Sequence, residues 1–600
     1  MYKKQMNFLE SIASLFKYTP GEPLLFSSGQ FLLLFIIFLT IYIAFIKRKM
    51  FISIYVVLFS LFFYYRSSGV YVWILILTTI TDYWFGNKLW NSKSETWRKI
   101  WLVMGVLPSM LLLAYFKYTN FIIFNISQII GNNFSPLDIF LPVGISFYTF
   151  QSVSYIIDIY RKKIEPASTM LDYAFFLTFF PQLVAGPIVK ANLFLPQLKQ
   201  ERQVSKTQVY TGLWLIIIGL VKKGVIADYI AQYNDLVFAA PQNYTGFENL
   251  MAVYGYALQI FCDFSGYSDM AIGMGKIMGF DLGINFNSPY KSIGISDFWR
   301  RWHISLSTWL REYIYYPLGG NRTISLFSVL CVPIGLVLIT LFYNQSWINV
   351  VLALLVSCVG LAAYKYSERN VLTYIALSLL TVLSIYWFTN NIPAAVYSVV
   401  VIAFWLLLLA RPQSAKSVKQ DINLVVLMLI GGLWHGAAWK FIFWGGTHGV
   451  ALAIDKFLLK ILPKNKTVKA LMWFFTFNFV VLLWMFFRAN DIQTEIVLED
   501  QTTVTQTISA FEVPIIMLEK IIDDFDISFA IHFWDARYVW VIMVLFGFIC
   551  HAVPEKAAGK VRDFFIKCPF AVKVLILLVV MQLVIQFKNE TVQPFIYFQF

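Results

Sequence analysis

The stretch FLLLFIIFLTIYIAFI (31–46), closed by the basic triplet Lys47-Arg48-Lys49, decides the fold class. An uncharged run of this length with a basic end is the pattern of a membrane span and its cytoplasmic flank. The pattern recurs outward. Apolar runs lie near 51–65, 71–86, 100–120 and 139–157, several of them shorter than the roughly 20 residues of a full crossing. Basic residues follow alternate runs: the triplet after the first, Lys88, Lys93, Arg98 and Lys99 after the third, and Arg161, Lys162 and Lys163 after the fifth. An even number of crossings separates these loops, so all three can face the cytoplasm, which puts the N-terminus outside.

Composition agrees. Of 600 residues, 59% are hydrophobic and only 13% charged, against about 25% charged in soluble domains. The deficit suits a surface solvated by lipid tails. The net charge of +14 does not point to nucleic acid, because the basic residues sit in short clusters between apolar runs, where positive-inside topology puts them. The N-terminal MYKKQMNFLESIASLFKYTPGEP lacks the long apolar core of a cleavable signal. Cys262, Cys331, Cys358, Cys550 and Cys568 include no pair with metal-ligand spacing and read as small buried hydrophobes.

The stretch 171–325 is different. Pro181, Pro187 and Pro196, with many glycines and charges, interrupt it. Irregular backbone at membrane depth survives only where it is buried in protein or lines a cavity. FFPQLVAGP (179–187) therefore reads as a re-entrant or broken segment, and 281–325 as interfacial helices on the cytoplasmic side. Four spans follow at 326–344, 347–363, 371–389 and 393–410. Further spans lie near 422–439, 440–457, 470–488, 537–553 and 572–588, with an acidic outside loop (Glu495, Glu499, Asp500, Asp523, Asp524, Asp526) before 537. The organisation predicted is N-terminal spans over 1–170, a core with re-entrant and interfacial helices over 171–322, a four-span block over 323–421, and a C-terminal core over 422–600.

Histidine is the side chain best suited to exchange a proton near neutral pH. His435 sits between two glycine pairs in IGGLWHGAAWKFIFWGG (430–446), inside an apolar run. It is either a neutral ring bonded to a neighbouring helix or a functional group facing a cavity. The flanking glycines permit close helix approach or a backbone break. His303 lies in SDFWRRWHISLSTWLREYIYYPLGGNR (296–322), whose Trp299, Trp302, Trp309, Arg300, Arg301 and Arg311 form an interfacial pattern. That block either anchors the chain or offers guanidinium groups to a phosphorylated donor. Asp263 and Asp269, in QIFCDFSGYSDMAIGMGKIMGFDLGINF (259–286), either form structural ion pairs or orient a histidine or line a polar tunnel. Trp302 and Trp434, beside the two histidines, are further candidates for substrate contact. The glycine run at 273–279 is one residue too long for a dinucleotide fingerprint and follows no strand. No Walker A, HExxH or GxSxG motif occurs. A transporter or flippase would use similar broken helices, but no inverted pair of interrupted segments is visible.

Seven ordered blocks resemble the membrane-bound O-acyltransferase (MBOAT) family, in its bacterial alginate O-acetyltransferase branch, with the D-alanyl transfer proteins of teichoic acid as cousins. They are LPVGISFYTFQSVSYIIDIYR (141–161), FFPQLVAGPIV (179–189), DFSGYSDMAIGMGKIMGFDLGINFNSPY (263–290), DFWRRWHISLSTWLREYIYYPLGGNR (297–322), GGLWHGAAWKFIFWGGTHG (431–449), FNFVVLLWMFFRAND (477–491) and PFIYFQF (594–600). The block at 323–421 departs from the family's spacing. The resemblance implies an all-α polytopic bundle of the MBOAT type, with re-entrant and interfacial helices around a central tunnel, in the bacterial inner membrane. It implies that His435 is the catalytic histidine and His303 a second one, which hydrogen-bonds the donor or the developing oxyanion or positions His435. The expected reaction moves an acyl group, most simply acetyl, from acetyl-CoA or another thioester to a hydroxyl of an exported polysaccharide, a cell-envelope glycan or a carrier. Besides membrane lipid, donor and acceptor, an extracytoplasmic esterase-like protein is an expected partner; no tightly bound cofactor and no metal are expected.

Overall fold

In lipid, every backbone N–H and C=O must be satisfied inside the protein, and apolar runs meet that demand as helices. The computed structural model describes residues 16–20, 23–131, 135–184, 186–201, 203–320, 412–463, 465–497 and 503–587. Their helices in chain order are α1 (Gly29–Ala44), α2 (Lys49–Ser68), α3 (Val72–Asn91), α4 (Glu95–Leu113), α5 (Thr119–Ile130), α6 (Ile145–Tyr160), α7 (Met170–Thr178), α8 (Phe180–Leu183), α9 (Ala191–Lys199), α10 (Lys206–Leu220), α11 (Asp228–Ala239), α12 (Gly246–Ile277), α13 (Ile295–Arg301), α14 (Ile304–Leu310), α15 (Pro412–His435), α16 (Trp439–Ile461) and α17 (Lys466–Arg488). The hairpin β1 (Ile492–Val497) and β2 (Thr503–Ile508) follows, then α18 (Glu512–Asp523), α19 (Phe529–Ala552), α20 (Glu555–Lys567) and α21 (Phe570–Phe587). Among the described residues, six helical stretches are long and apolar enough to cross a membrane: Lys49–Asn91, Glu95–Gln128, Lys206–Ala239, Lys466–Arg488, Phe529–Ala552 and Phe570–Phe587. The chain is an all-α, multi-pass membrane protein. The four spans expected at 326–344, 347–363, 371–389 and 393–410 lie outside the described residues, as do Glu499, Asp500 and the terminal PFIYFQF block.

The chain divides into two units. The first holds Met1–Tyr118, Ile139–Ser307 and Asn465–Phe600, and the second Thr119–Asp138 and Thr308–Lys464. In the first unit, the helix pair α2 and α3 turns at Gly69, where φ is +58° and a Cβ would strike the Tyr18 ring at 2.8 Å. The stretch Lys206–Ala239, absent from the spans expected above, is α10 and α11 joined through a π-helical segment, Val221–Ala227. It escaped notice because Lys222 and Lys223 interrupt its apolar pattern. It packs on α12 along a glycine seam. A Cβ on Gly212 would lie 2.6 Å from the Gly273 carbonyl oxygen, and one on Gly219 2.5 Å from that of Gly266. The pairing runs in opposite directions along the two helices. The glycines at 266–275 thus serve close helix approach.

FFPQLVAGP does break, as its prolines predict. Helix α7 ends at Thr178, α8 lasts four residues, and the chain then runs on without helix. Its polar backbone is satisfied by side chains: Phe180 N–H donates to Ser60 Oγ at 3.1 Å, Ile188 N–H to Ser305 Oγ at 3.0 Å, and Gln151 Nε2 to the Val189 carbonyl at 3.2 Å. Phe180 anchors the break among Phe26, Phe31, Phe35, Phe38, Phe59 and Phe63. The acidic region before 537 contains the β1–β2 hairpin, paired antiparallel from Ile492↔Ile508 to Val497↔Thr503. Its β-branched residues (IQTEIV, TVTQTI) favour strands.

In the second unit, α15 and α16 form a tight hairpin. A Cβ on Gly432 would lie 2.1 Å from the Phe441 carbonyl oxygen, and one on Gly445 2.2 Å from that of Met428. Leu310 packs on Gly431, Asn423 Nδ2 donates to the Gly320 carbonyl at 3.0 Å, and Trp439 Nε1 donates to Asn125 Oδ1 at 2.9 Å.

Candidate active site

His303 occupies the two-residue joint between α13 and α14, outside every stretch long enough to span. Its φ is +43°, in the left-handed region. For a residue other than glycine this costs about 1–2 kcal/mol, and such strain gathers at functional sites. The ring is fully buried, near Phe147, Phe264 and Phe286. Burial pushes its pKa down to about 3, so the imidazole is neutral at physiological pH.

The kink turns consecutive N–H groups onto one residue, Asn285. Ile304 N–H donates to the Asn285 backbone carbonyl at 2.9 Å, and Ser305 N–H to its Oδ1 at 3.3 Å. Ser305 Oγ reaches the same Oδ1 at 2.9 Å, and His303 Nδ1 lies 3.1 Å from it. Asn285 Nδ2 in turn donates to Ser268 Oγ on α12 at 3.1 Å. Asn285, Ser305 and Ser268 were not singled out from sequence. The available signal was an amide pair, Asn285 and Asn287 in NFNSPY, placed just ahead of the histidine block.

Trp302 is fully buried against Phe298, Phe286 and Trp484, with the last ring centroid at 4.9 Å. The candidate arginines separate. Arg301 pairs with Asp297 at 3.0 Å, whereas Arg300 is exposed. Asp263 and Asp269 follow the ion-pair alternative. Lys223 Nζ lies 2.5 Å from Asp263 and 2.8 Å from Asp228, and Lys222 Nζ lies 2.7 Å from Asp269. The wide π turn lets two successive lysines face carboxylates.

In the second unit, His435 is the last residue of α15, and Gly436-Ala437-Ala438 separate it from α16. Position 436 admits only glycine: a Cβ there would sit 2.0 Å from the Phe441 ring. His435 is only 3% exposed, with Trp434 and Trp444 edge-on to it at centroid distances of 5.0 and 5.2 Å. His448, also buried, lies edge-on to Trp444 at a centroid distance of 4.8 Å. Arg311 is exposed at the start of the π segment Arg311–Tyr315. Elsewhere, His551 accepts the Tyr290 N–H at 3.1 Å, and His532 is exposed. Among the described residues, no group of three or more His, Cys, Asp or Glu side chains is placed to hold a metal ion.

The His303 ring, buried, neutral and clamped by an amide, suits proton exchange in a dry interior. The comparisons fit that chemistry. The model of "MBOAT, membrane-bound O-acyltransferase family" matches residues 166–332, which include His303 but not His435. The peptidoglycan O-acetyltransferase of Helicobacter pylori is 32% identical over 479 residues, 75% of this chain and 73% of that protein. A probable alginate O-acetylase of Azotobacter vinelandii is 32% identical over 475 residues, 78% of this chain and 76% of that one. The teichoic acid D-alanyltransferase of Bacillus subtilis is 34% identical over 182 residues, 30% of this chain and 46% of its own. Matched across most of its length, the chain belongs to the membrane-bound O-acyltransferase family and is an O-acyltransferase.

Proposed function

We propose that this enzyme carries an acetyl group from a cytoplasmic thioester, acetyl-CoA or a related donor, to a hydroxyl of an exported polysaccharide or cell-envelope glycan. The observation that carries this reading is the position of His435: a buried imidazole at a helix end, beside a backbone break, in a chain whose relatives over about three quarters of its length bear O-acetyltransferase or O-acetylase names. The relatives named for D-alanyl transfer match 30% and 58% of the chain, against 75% and 78% for two named for O-acetyl transfer, which favours acetyl over D-alanyl.

In the proposed step, His435 takes the proton of the acceptor hydroxyl as its oxygen attacks the thioester carbonyl. The tetrahedral adduct collapses with loss of the C–S bond. The leaving thiolate receives the proton from the imidazolium, so an ester and a free thiol result and the ring is regenerated. The buried setting keeps water from the thioester. His303 acts on the same reaction, with Trp302 and Trp434 at the substrates. Exposed Arg300 and Arg311 are candidates for the donor phosphates. An extracytoplasmic esterase-like protein would complete delivery to the polymer.

The orientation proposed is a bacterial cytoplasmic membrane with the N-terminus outside. The basic loops at 47–49, 88–99 and 161–163 support it.

The test replaces His435 with Ala and with Gln, verifies membrane insertion, and measures acetyl on surface glycans by mass spectrometry. Loss of about 100-fold or more is expected, the scale of general acid–base catalysis. Wild-type acetylation in either variant refutes the assignment.

A further inference from the structure

The protons around Asn285 can be placed without seeing them, because two of the donors are backbone N–H groups. Ser305 N–H can only donate, so the Asn285 side-chain atom facing it at 3.3 Å is the carbonyl oxygen and not the amide nitrogen. The opposite end agrees, since Nδ2 then donates to Ser268 Oγ at 3.1 Å. Ile188 N–H also only donates. Ser305 Oγ accepts from it at 3.0 Å and so has its own proton to give to Oδ1 at 2.9 Å. His303 Nδ1 faces that same oxygen at 3.1 Å. An oxygen that only accepts requires a nitrogen that donates, so Nδ1 carries the hydrogen. In a neutral ring, Nε2 then holds the lone pair.

We infer that Asn285 is a positioning residue that fixes His303 as the Nδ1–H tautomer and presents Nε2 as a hydrogen-bond acceptor. Resting on the function proposed above, this deepens it and changes one part. A bare Nε2 cannot donate to an oxyanion, so His303 serves by accepting: it holds a substrate hydroxyl by its hydrogen or takes up a proton. Its ligand is the hydroxyl-bearing acceptor rather than the thioester oxygen. The left-handed turn at His303 is what aims the Ile304 and Ser305 N–H groups at Asn285, so strain and tautomer belong to one device.

The experiment uses the full-length protein in lipid nanodiscs, labelled with ¹⁵N-histidine, with the His303 resonances identified by their loss in His303→Gln. The wild type is expected to show Nδ1 protonated and Nε2 bare. Asn285→Leu is expected to admit the Nε2–H tautomer and to lower kcat about 10- to 100-fold, the range for partners that orient a functional histidine, with KM for the acceptor within about twofold. Asn285→Asp, whose carboxylate accepts the same bonds, is expected to restore most of kcat. A protonated Nε2 in the wild-type protein overturns the inference even if His303→Gln is inactive, and needs no variant to fold. Wild-type kcat in a folded Asn285→Leu overturns it too. An active His303→Gln overturns instead the role given to that ring under the proposed function.

Discussion

Replacing Lys223 with Met tests whether the buried charges of α10–α12 are held by one another. The ammonium group bridges Asp228 at 2.8 Å and Asp263 at 2.5 Å, and the side chains of Lys223 and Asp263 are 3% and 5% exposed. Removing it leaves two carboxylates facing each other with little water to screen them. Breaking a buried pair from one side costs about 3–5 kcal/mol, because the remaining charge loses its compensation. Asp228, at 18% exposure, recovers some hydration and places the expected loss toward the lower end of that range. The second half of the test removes the stranded charge. Lys223→Met with Asp263→Asn should be more stable than Lys223→Met alone, with a coupling energy on the order of 2 kcal/mol. Purified variants unfolded by SDS in mixed micelles give both numbers. If Lys223→Met unfolds at the wild-type SDS fraction, the lysine is not holding these carboxylates. If the double variant is no better than the single one, the cost comes from packing rather than from charge.

His303, with its pKa near 3 in the folded protein against about 6.5 unfolded, takes up a proton only on unfolding within that window, so its contribution is complete above pH 6.5 and is lost as the pH falls. Each pH unit below 6.5 should cost up to about 1.4 kcal/mol, and His303→Gln should lose less thermal stability than wild type between pH 7 and 5; equal losses refute this. Arg300→Gln should raise KM for the thioester severalfold at unchanged kcat in an acetyl-transfer assay, whereas Arg301→Gln, which breaks the 3.0 Å pair with Asp297, should act on thermal stability by about 1 kcal/mol or less.

The sequence made the spans legible because burial in lipid demands long uncharged runs, and it exposed the break at 179–187 because Pro181 and Pro187 cannot continue a helix. His435 stood out for the same reason as the spans: an ionisable ring among apolar residues is conspicuous. What stayed hidden depends on the third dimension. Lys222 and Lys223 are one case, since no local pattern announces a π turn that aims both at carboxylates of α12. The hairpin at 492–508 read as an acidic loop because two short strands leave little period to detect. Asn285 is 18 residues from His303, and its meaning exists only once the chain folds back.

These particulars separate two uses of polarity in one apolar protein. Lys223, Asp228 and Asp263 neutralise one another at full hydrogen-bonding distance, which commits them to holding helices together. Ser60, Gln151 and Ser305 are committed likewise, each satisfying backbone where the helix at 179–189 fails. His303 is built differently. Its surroundings bind one ring nitrogen firmly and keep the ring neutral, at the expense of a left-handed backbone. A residue needed only for packing would not require that conformation, since a leucine in ordinary helical geometry would fill the volume among Phe147, Phe264 and Phe286 at lower cost. The strain is intelligible if the second nitrogen is what the fold is arranged to present.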